Sequence, residues 1–187
     1  MGQVVSQREL ISRRGEWKRT GKGVVCAFGV FDLLHPGHIR LLEDAHGLGD
    51  LLIVAVQSDA MVRAASANRG SSRTAATDDG ADKPITPAEE RAEILAALGA
   101  VDFAVVTDDP PTEFLRQLQP DVFVCGDEPA DEPADEPNDE PAGQATPASS
   151  DDLERSLAAI GCKMVRIPIE PGYSTSRLIE RITGRRA

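Results

Sequence analysis

Short apolar runs alternate with segments of helical pattern along most of the chain, and this alternation restricts the possible folds more than any other feature. The first run, residues 24–30, is continuous and β-prone, as expected of a strand that is covered on both faces. A second run follows at 51–56, and residues 38–48 between them place their apolar side chains on one helical face. The order of elements is therefore β-α-β.

The same pattern continues to the end of the chain. Further strands are predicted at 103–106, 122–125 and 164–167, and further helices at 7–17, 59–65, 86–98, 112–118, 151–160 and from the following turn to 182. In helix 86–98, Thr86 is the expected N-cap and Glu89 completes a capping box. Repeated β-α units of this length specify a parallel sheet with right-handed crossovers. We expect a single α/β domain, a Rossmann-like doubly wound parallel sheet of five strands with helices on both faces.

The length of 187 residues allows one good core and is too short for two ordinary domains. Residues 1–22 are expected to form a helical lead-in, and residues 23–187 the domain itself. Two segments interrupt the pattern. Residues 64–82 are rich in Ser, Ala, Gly, Asp and Asn and predict a mobile loop. Residues 129–149 begin with a near-repeat of acidic pairs and prolines, which predicts a disordered insertion because it offers little to bury.

The formal net charge of −11 gives a misleading impression of the surface. Eight acidic residues lie in one short tract between Asp127 and Glu140, and without them the balance is −3. The remainder has no basic footprint, so neither a nucleic acid nor a membrane is expected as a partner. Lys22 could reach a phosphate from its place before the first strand, although a lysine there is more often solvated.

Cysteine usage and the N-terminus both favour an intracellular protein. Cys26, Cys125 and Cys162 form no paired framework and no CxxC motif, and each lies in or beside an apolar run, as buried reduced thiols do. The first 23 residues lack the apolar core of a signal peptide, and no apolar run reaches membrane-spanning length. The cytoplasm is the expected location.

The chemistry is expected at the turns that follow strands, because ligands of open parallel sheets bind beyond the carboxyl ends of the strands. The first such turn reads GVFDLLHPGH, with His35 and His38 placed around a Pro-Gly pair where a helix begins. Gly37 allows a phosphate to approach the backbone, the helix start offers free N–H groups, and both imidazoles can donate to phosphate oxygens. Asp32 could bind Mg²⁺ or orient an acceptor, or it could cap the helix.

This combination fits phosphoryl or nucleotidyl transfer, which needs positioning and hydrogen-bond donors more than covalent help from the protein. The alternative for an isolated HxxH pair is that His35 and His38 merely cap the helix or bind a metal. The position after a buried strand, with Asp32 three residues earlier, favours the functional interpretation.

The HPGH sequence resembles the HxGH signature of the cytidylyltransferase-like nucleotidyltransferase superfamily, and two further blocks match in order. KPITPAEERAEILAAL followed by VDFAVV is similar to the block in which a helical arginine, here Arg91, contacts nucleotide phosphates. EPGYSTSRLIERI is similar to the terminal block whose hydroxyls and N–H groups hold the triphosphate. Its matching positions are Tyr173, Ser174, Thr175 and Ser176. The lead-in ending in GKGVV and the form GYST are most similar to D-glycero-β-D-manno-heptose 1-phosphate adenylyltransferases, here as a stand-alone domain.

The resemblance implies attack of a sugar-phosphate oxygen on the α-phosphate of ATP, with release of pyrophosphate and no covalent enzyme intermediate. It implies Mg²⁺ bound with the NTP, no dedicated metal ligand in the protein, and a possible homodimer. The catalytic residues implied are His35, His38, Asp32 and Arg91. The nucleotide-binding positions implied are Phe28, Gly29, Val30, Gly37, Gly126, Asp127 and the four residues of the terminal block.

Two departures from this branch leave the base and the acceptor open. Phe28 stands where the branch usually has Asn, and an aromatic residue there is closer to glycerol-3-phosphate cytidylyltransferases. Its ring could stack on a base or lie in the core. Cys125-Gly126 replaces the usual Lys-Gly, which removes a phosphate-compatible charge. The alternatives are therefore a cytidylyltransferase for glycerol 3-phosphate or another polyol or amino-alcohol phosphate, and a nucleotide-binding module without turnover.

Overall fold

The computed structural model describes residues 2–69, 84–127 and 150–169, and the single helical positions Thr175, Leu178 and Ile182. The strands are β1 (Gln3–Val4), β2 (Val24–Gly29), β3 (Leu51–Gln57), β4 (Phe103–Thr107), β5 (Val122–Asp127) and β6 (Lys163–Pro168). The helices are α1 (Gln7–Arg19), α2 (Pro36–His46), α3 (Asp59–Arg69), α4 (Ala88–Ala96), α5 (Pro111–Leu118) and α6 (Ser150–Ala159). The predicted insertion at 129–149 lies outside the described residues.

The strands form one sheet in the order β1-β4-β3-β2-β5-β6, and every described pairing is parallel. This confirms the doubly wound, Rossmann-like α/β fold. Within the described residues the sheet has six strands where the sequence predicts five, because Gln3 pairs with Phe103 and Val4 with Ala104 at its edge. A strand of two residues carries too little periodicity to be recognised in a sequence.

The sheet is covered on both faces because its central strands alternate their side chains between two apolar clusters. Val24, Cys26 and Phe28 of β2 face the cluster built with α1, α5 and α6, whereas Val25 and Ala27 face the cluster built with α2 and α4. All six residues of β2 are buried. The continuous apolar run in the sequence is therefore explained by helices on both faces.

Two helix boundaries differ from the prediction. Helix α3 continues to Arg69, so residues 64–69 belong to a helix rather than to the predicted loop, as their alanine content permits. Helix α4 begins at Ala88, and no side chain caps its N-terminus, so the capping box predicted for Thr86 and Glu89 is wrong. The backbone N–H of Thr86 instead donates to the Asp32 carboxylate at 2.8 Å.

The three cysteines are buried and none forms a disulfide, as expected of structural thiols. Burial raises the pKa of the Cys26 thiol and also raises that of Cys162, to about 11. Trp17 of α1 packs on Phe103 with ring centroids 5.3 Å apart, so it serves the core. Within the described ranges, no helix combines the length and the apolar character needed to cross a membrane.

The sheet places the candidate site at the carboxyl ends of β2 and β5. Strand β2 has β3 on one side and β5 on the other, so the order of strands reverses beside it. A crevice opens at such a reversal because the chain leaves the neighbouring strands toward opposite faces of the sheet. The histidine turn follows β2 directly, and Gly126 lies near the end of β5.

Candidate active site

The histidine turn is built by the first residues of α2. Pro36 occupies the first helical position, which its fixed φ favours, and His35 is the N-cap in an extended conformation. The Nδ1 of His35 accepts a hydrogen bond from the backbone N–H of His38 at 3.4 Å. The two imidazole rings are stacked, with centroids 3.8 Å apart and planes 17° apart. The helix cap therefore fixes the relative position of the two rings.

This geometry determines which ring nitrogens can serve a ligand. Since Nδ1 of His35 accepts a hydrogen bond, the proton of the neutral ring lies on Nε2, which becomes a donor. Nδ1 of His38 is buried and has no hydrogen-bond partner among the described residues, so Nε2 is the nitrogen left to meet a ligand. Two imidazole rings at a helix N-terminus provide N–H donors suited to an anion.

Burial keeps both histidines neutral near pH 7. Burial and, to a smaller extent, the neighbouring His35 together lower the pKa of His38 from 6.5 to about 4. Burial also lowers the pKa of His35. A bound anion would offset both effects, because negative charge stabilises the imidazolium. The pair can therefore gain positive character when a phosphate arrives.

We expect the stability of the protein to fall as the pH drops from 6.5 toward 4. Unfolded His38 binds a proton near pH 6.5 but folded His38 only near pH 4, so unfolding takes up a proton in this window. Urea unfolding at pH 7, 6 and 5 should show a shallower loss for His38→Gln than for the wild type. His46→Gln is the matched control, and parallel curves for wild type and His38→Gln would contradict the assignment.

Asp32 connects the histidine turn to the segment that enters α4. Its two carboxylate oxygens accept hydrogen bonds from the backbone N–H groups of Ile85, at 2.9 Å, and Thr86, at 2.8 Å. It does not cap α2, because His35 holds that position. A direct role of Asp32 toward Mg²⁺ or the acceptor stays a prediction.

Arg91 reaches the same end of the sheet from α4, and its side chain has no exposed surface. Its guanidinium donates to the Thr86 carbonyl at 2.8 Å, to the Val30 carbonyl, and to Oδ1 of Asp59 at 2.6 Å. The predicted contact of Arg91 with nucleotide phosphates stays a prediction, and the three hydrogen bonds use three of its five N–H donors.

Three glycines at the site are explained by close packing. A Cβ on Gly37 would lie 3.1 Å from Nδ1 of His35 and 3.2 Å from Cγ2 of Ile169. A Cβ on Gly126 would lie 2.6 Å from Cδ1 of the same Ile169, and one on Gly29 would lie 3.1 Å from the Phe31 ring. Ile169, just after β6, therefore bridges the histidine turn and the end of β5.

The other predicted binding residues divide into three groups. Phe28 is 3% exposed and packs on Phe114 with ring centroids 5.9 Å apart, so the core alternative is correct and the ring is not placed to stack on a base. The backbone of Asp127 ends β5 at the expected edge. Thr175 is helical and half-buried, and the remaining residues of the terminal block, Tyr173, Ser174 and Ser176, lie outside the described residues.

The end of β3 adds two residues that the sequence pattern did not single out. Asp59 pairs with Arg91, and Gln57 is 1% exposed with an Nε2 that has no partner among the described residues. A buried donor at this edge is a place for a ligand atom or a water molecule. Lys22, by contrast, is exposed at the amino end of β2, away from the site.

The fold and the histidine turn together define the class of this domain as a Rossmann-like nucleotidyltransferase. The sequence model of the family described as cytidylyltransferase-like matches residues 26–181, and the chain belongs to this family. The resemblance seen in the sequence motifs is thereby confirmed.

Named relatives and a solved structure agree with this assignment. The chain is 34% identical over 179 residues to the bifunctional protein HldE of Koribacter versatilis. This alignment covers 95% of the chain and 31% of the relative. The chain is 36% identical over 171 residues to the bifunctional protein HldE of Syntrophotalea carbinolica, covering 90% and 28%. The chain thus spans less than a third of these relatives. The fold is similar to that of the lipopolysaccharide core biosynthesis protein from Thermoplasma volcanium GSS1, with a TM-score of 0.53, 24% identity, and coverage of 80% of this chain and 98% of that one.

Proposed function

We propose that this domain transfers AMP from ATP to a sugar phosphate similar to heptose 1-phosphate, releasing pyrophosphate and giving an ADP-sugar. The observation that carries the proposal is the stacked His35–His38 pair at the start of α2, beside the point where the strand order reverses. The similarity to HldE proteins over at least 90% of this chain supports the sugar-phosphate acceptor. A homodimer and a cytoplasmic location stay predictions.

The proposed reaction needs no nucleophile from the protein. An oxygen of the acceptor phosphate attacks the α-phosphorus of ATP, the bond from that phosphorus to the β-phosphate bridge breaks, and pyrophosphate leaves. The Nε2–H groups of His35 and His38 donate to the phosphate oxygens on which negative charge increases. Because these donors are held by the helix cap before the substrate arrives, little reorganisation is needed in the transition state.

We propose that Mg²⁺ enters with the triphosphate as part of the substrate. The described residues contain no group of three or more His, Cys, Asp or Glu side chains arranged to hold a metal ion. Magnesium in such sites is bound by one or two carboxylates and by substrate phosphates. Asp32 fits this pattern as a single carboxylate, because each of its oxygens accepts one described hydrogen bond and retains capacity for another.

The cytidylyltransferase alternative rested on an aromatic residue at position 28. Since Phe28 lies in the core, stacking of its ring on a base gives no support to CTP, and the alternative rests on the sequence resemblance at this position. ATP is preferred because the GKGVV lead-in and the GYST block resemble the heptose 1-phosphate adenylyltransferases. The nucleotide-binding module without turnover is retained as an outcome of the test.

The test is pyrophosphate release from the full chain with Mg²⁺, each of the four NTPs, and a panel of acceptors. The panel contains heptose 1-phosphate, glycerol 3-phosphate and ethanolamine phosphate, and the His38→Ala protein serves as the matched control for contaminating activity. Release with ATP and the heptose phosphate supports the proposal. Release only with CTP and a polyol phosphate replaces it with the cytidylyltransferase, and nucleotide binding without release from any pair replaces it with the binding module.

A further inference from the structure

The turn between β2 and α2 contains an unusual backbone conformation. Phe31 has a φ of 51°, in the left-handed region that residues with a Cβ rarely adopt. Such a conformation persists only where the surroundings hold it in place, and it concentrates at functional sites. Its position, four residues before His35, makes the source of this restraint relevant to the histidine pair.

Both neighbours of Phe31 are tied to other elements. On the N-terminal side, the carbonyl of Val30 accepts a hydrogen bond from the Arg91 guanidinium. On the C-terminal side, the Asp32 carboxylate accepts the N–H groups of Ile85 and Thr86. These long-range hydrogen bonds clamp the backbone on each side of the left-handed residue.

The clamp on the N-terminal side depends on a buried ion pair. Arg91 has no exposed side-chain surface, and a guanidinium removed from water requires a counter-charge and acceptors. Asp59, the first residue of α3, supplies the charge through a 2.6 Å hydrogen bond to Nη2. Without that carboxylate the buried cation has only carbonyl partners, and its hold on Val30 is weakened.

Phe31 connects the restrained backbone to the His35–His38 pair through the contacts of its ring. Its ring is buried and packs so close to Gly29 that a Cβ on that glycine would touch it. The ring also meets the His38 ring edge-on, with centroids 5.5 Å apart. His38 also stacks on His35. At the start of α2, Gly37 lies next to the apolar Ile169. The titratable neighbours of His38 on the turn are His35 and Asp32, and the Asp32 carboxylate accepts hydrogen bonds from Ile85 and Thr86.

We propose that Asp59 is a positioning residue: through Arg91 and Phe31 it holds His38 in the orientation that nucleotidyl transfer requires. The kinetic part of this inference rests on the proposed function, whereas the structural part does not. It also assigns a primary role to Arg91 that is distinct from phosphate contact, since the same guanidinium fixes the turn that carries the histidines.

The test is the pair Asp59→Asn and Arg63→Gln, followed by NMR titration of the three histidine side chains and by kinetics. Asp59→Asn removes the charge and keeps the shape. We expect the pKa of His38 to rise from about 4 toward 6.5 as the ring becomes more solvated. We expect kcat to fall by up to about 100-fold with little change in the KM for NTP, because misplacement by about 1 Å has effects of that size.

Arg63→Gln is the matched control because it breaks the second, exposed ion pair of Asp59, in which Nη2 of Arg63 lies 3.9 Å from Oδ2. It should leave the His38 titration and kcat unchanged. A folded Asp59→Asn protein in which His38 titrates as in the wild type overturns the proposal, even if its stability is reduced, because a merely structural role would produce that result.

Failure of the variant to fold and failure of the proposed function can each be distinguished from failure of the positioning role. If Asp59→Asn does not fold, Phe31→Gly tests the same chain of contacts, because glycine tolerates the positive φ and removes the ring. A wild-type His38 titration in that variant overturns the proposal. If no substrate pair releases pyrophosphate but Asp59→Asn still shifts the His38 pKa, the proposed function fails while the positioning role stands.

Discussion

Replacing His38 with alanine should lower turnover by about 100- to 1,000-fold while the protein stays folded, because one positioned transition-state donor is typically worth that much. The variant loses the Nε2 donor and the stacking on His35, but it leaves the capping hydrogen bond to the backbone N–H of residue 38 in place. Steady-state pyrophosphate release under saturating NTP and acceptor measures the loss. Near-ultraviolet and far-ultraviolet circular dichroism verify the fold.

His46→Ala is the matched control for this experiment. His46 ends the same helix, and its side chain is 43% exposed near Asp102 on the amino-end side of β4. It should retain wild-type turnover. Unchanged turnover in His38→Ala would rule out the mechanism proposed for the histidine pair, whereas equal losses in both variants would indicate a general effect on the helix.

Replacing Phe114 with alanine should lower the free energy of unfolding by about 3–5 kcal/mol, the range for removal of a buried phenylalanine. Phe114 of α5 is fully buried and contacts Phe28, so the change opens a cavity directly beneath the strand that carries the histidine turn. Urea unfolding followed by circular dichroism gives the free energy. The expected loss is a large part of the total stability of an ordinary domain.

Ile94→Ala provides the comparison. Ile94 of α4 is 48% exposed, and its truncation should change the free energy of unfolding by about 0.5 kcal/mol or less. A loss below about 1 kcal/mol in Phe114→Ala would mean that the α5 face does not pack as described. Phe114→Leu should fall between the two alanine variants, since it retains most of the buried apolar surface.

The sequence alone was sufficient to predict features that depend on residues close together in the chain. The run at β2 is apolar at every position, which predicts a central strand covered on both faces, and the HPGH motif places two histidines and a helix start within four residues. Local spacing determines both features. The parallel sheet, its alternation with helices and the histidine turn were therefore predicted before any tertiary contact was known.

Tertiary structure decided the features that join distant parts of the chain. The sequence marked Arg91 and Asp32 as site residues, but it could not show that Arg91 would be buried against Asp59 and Val30, or that Asp32 would hold Ile85 and Thr86. Strand β1 exists because Gln3 meets Phe103, and the ring of Phe28 lies in the core because Phe114 of α5 packs on that face of β2. Such partners are 32 to 100 residues apart. Their pairing depends on how the whole chain folds into one sheet. Only when helices cover both faces of that sheet is it decided which polar atoms are buried next to each other.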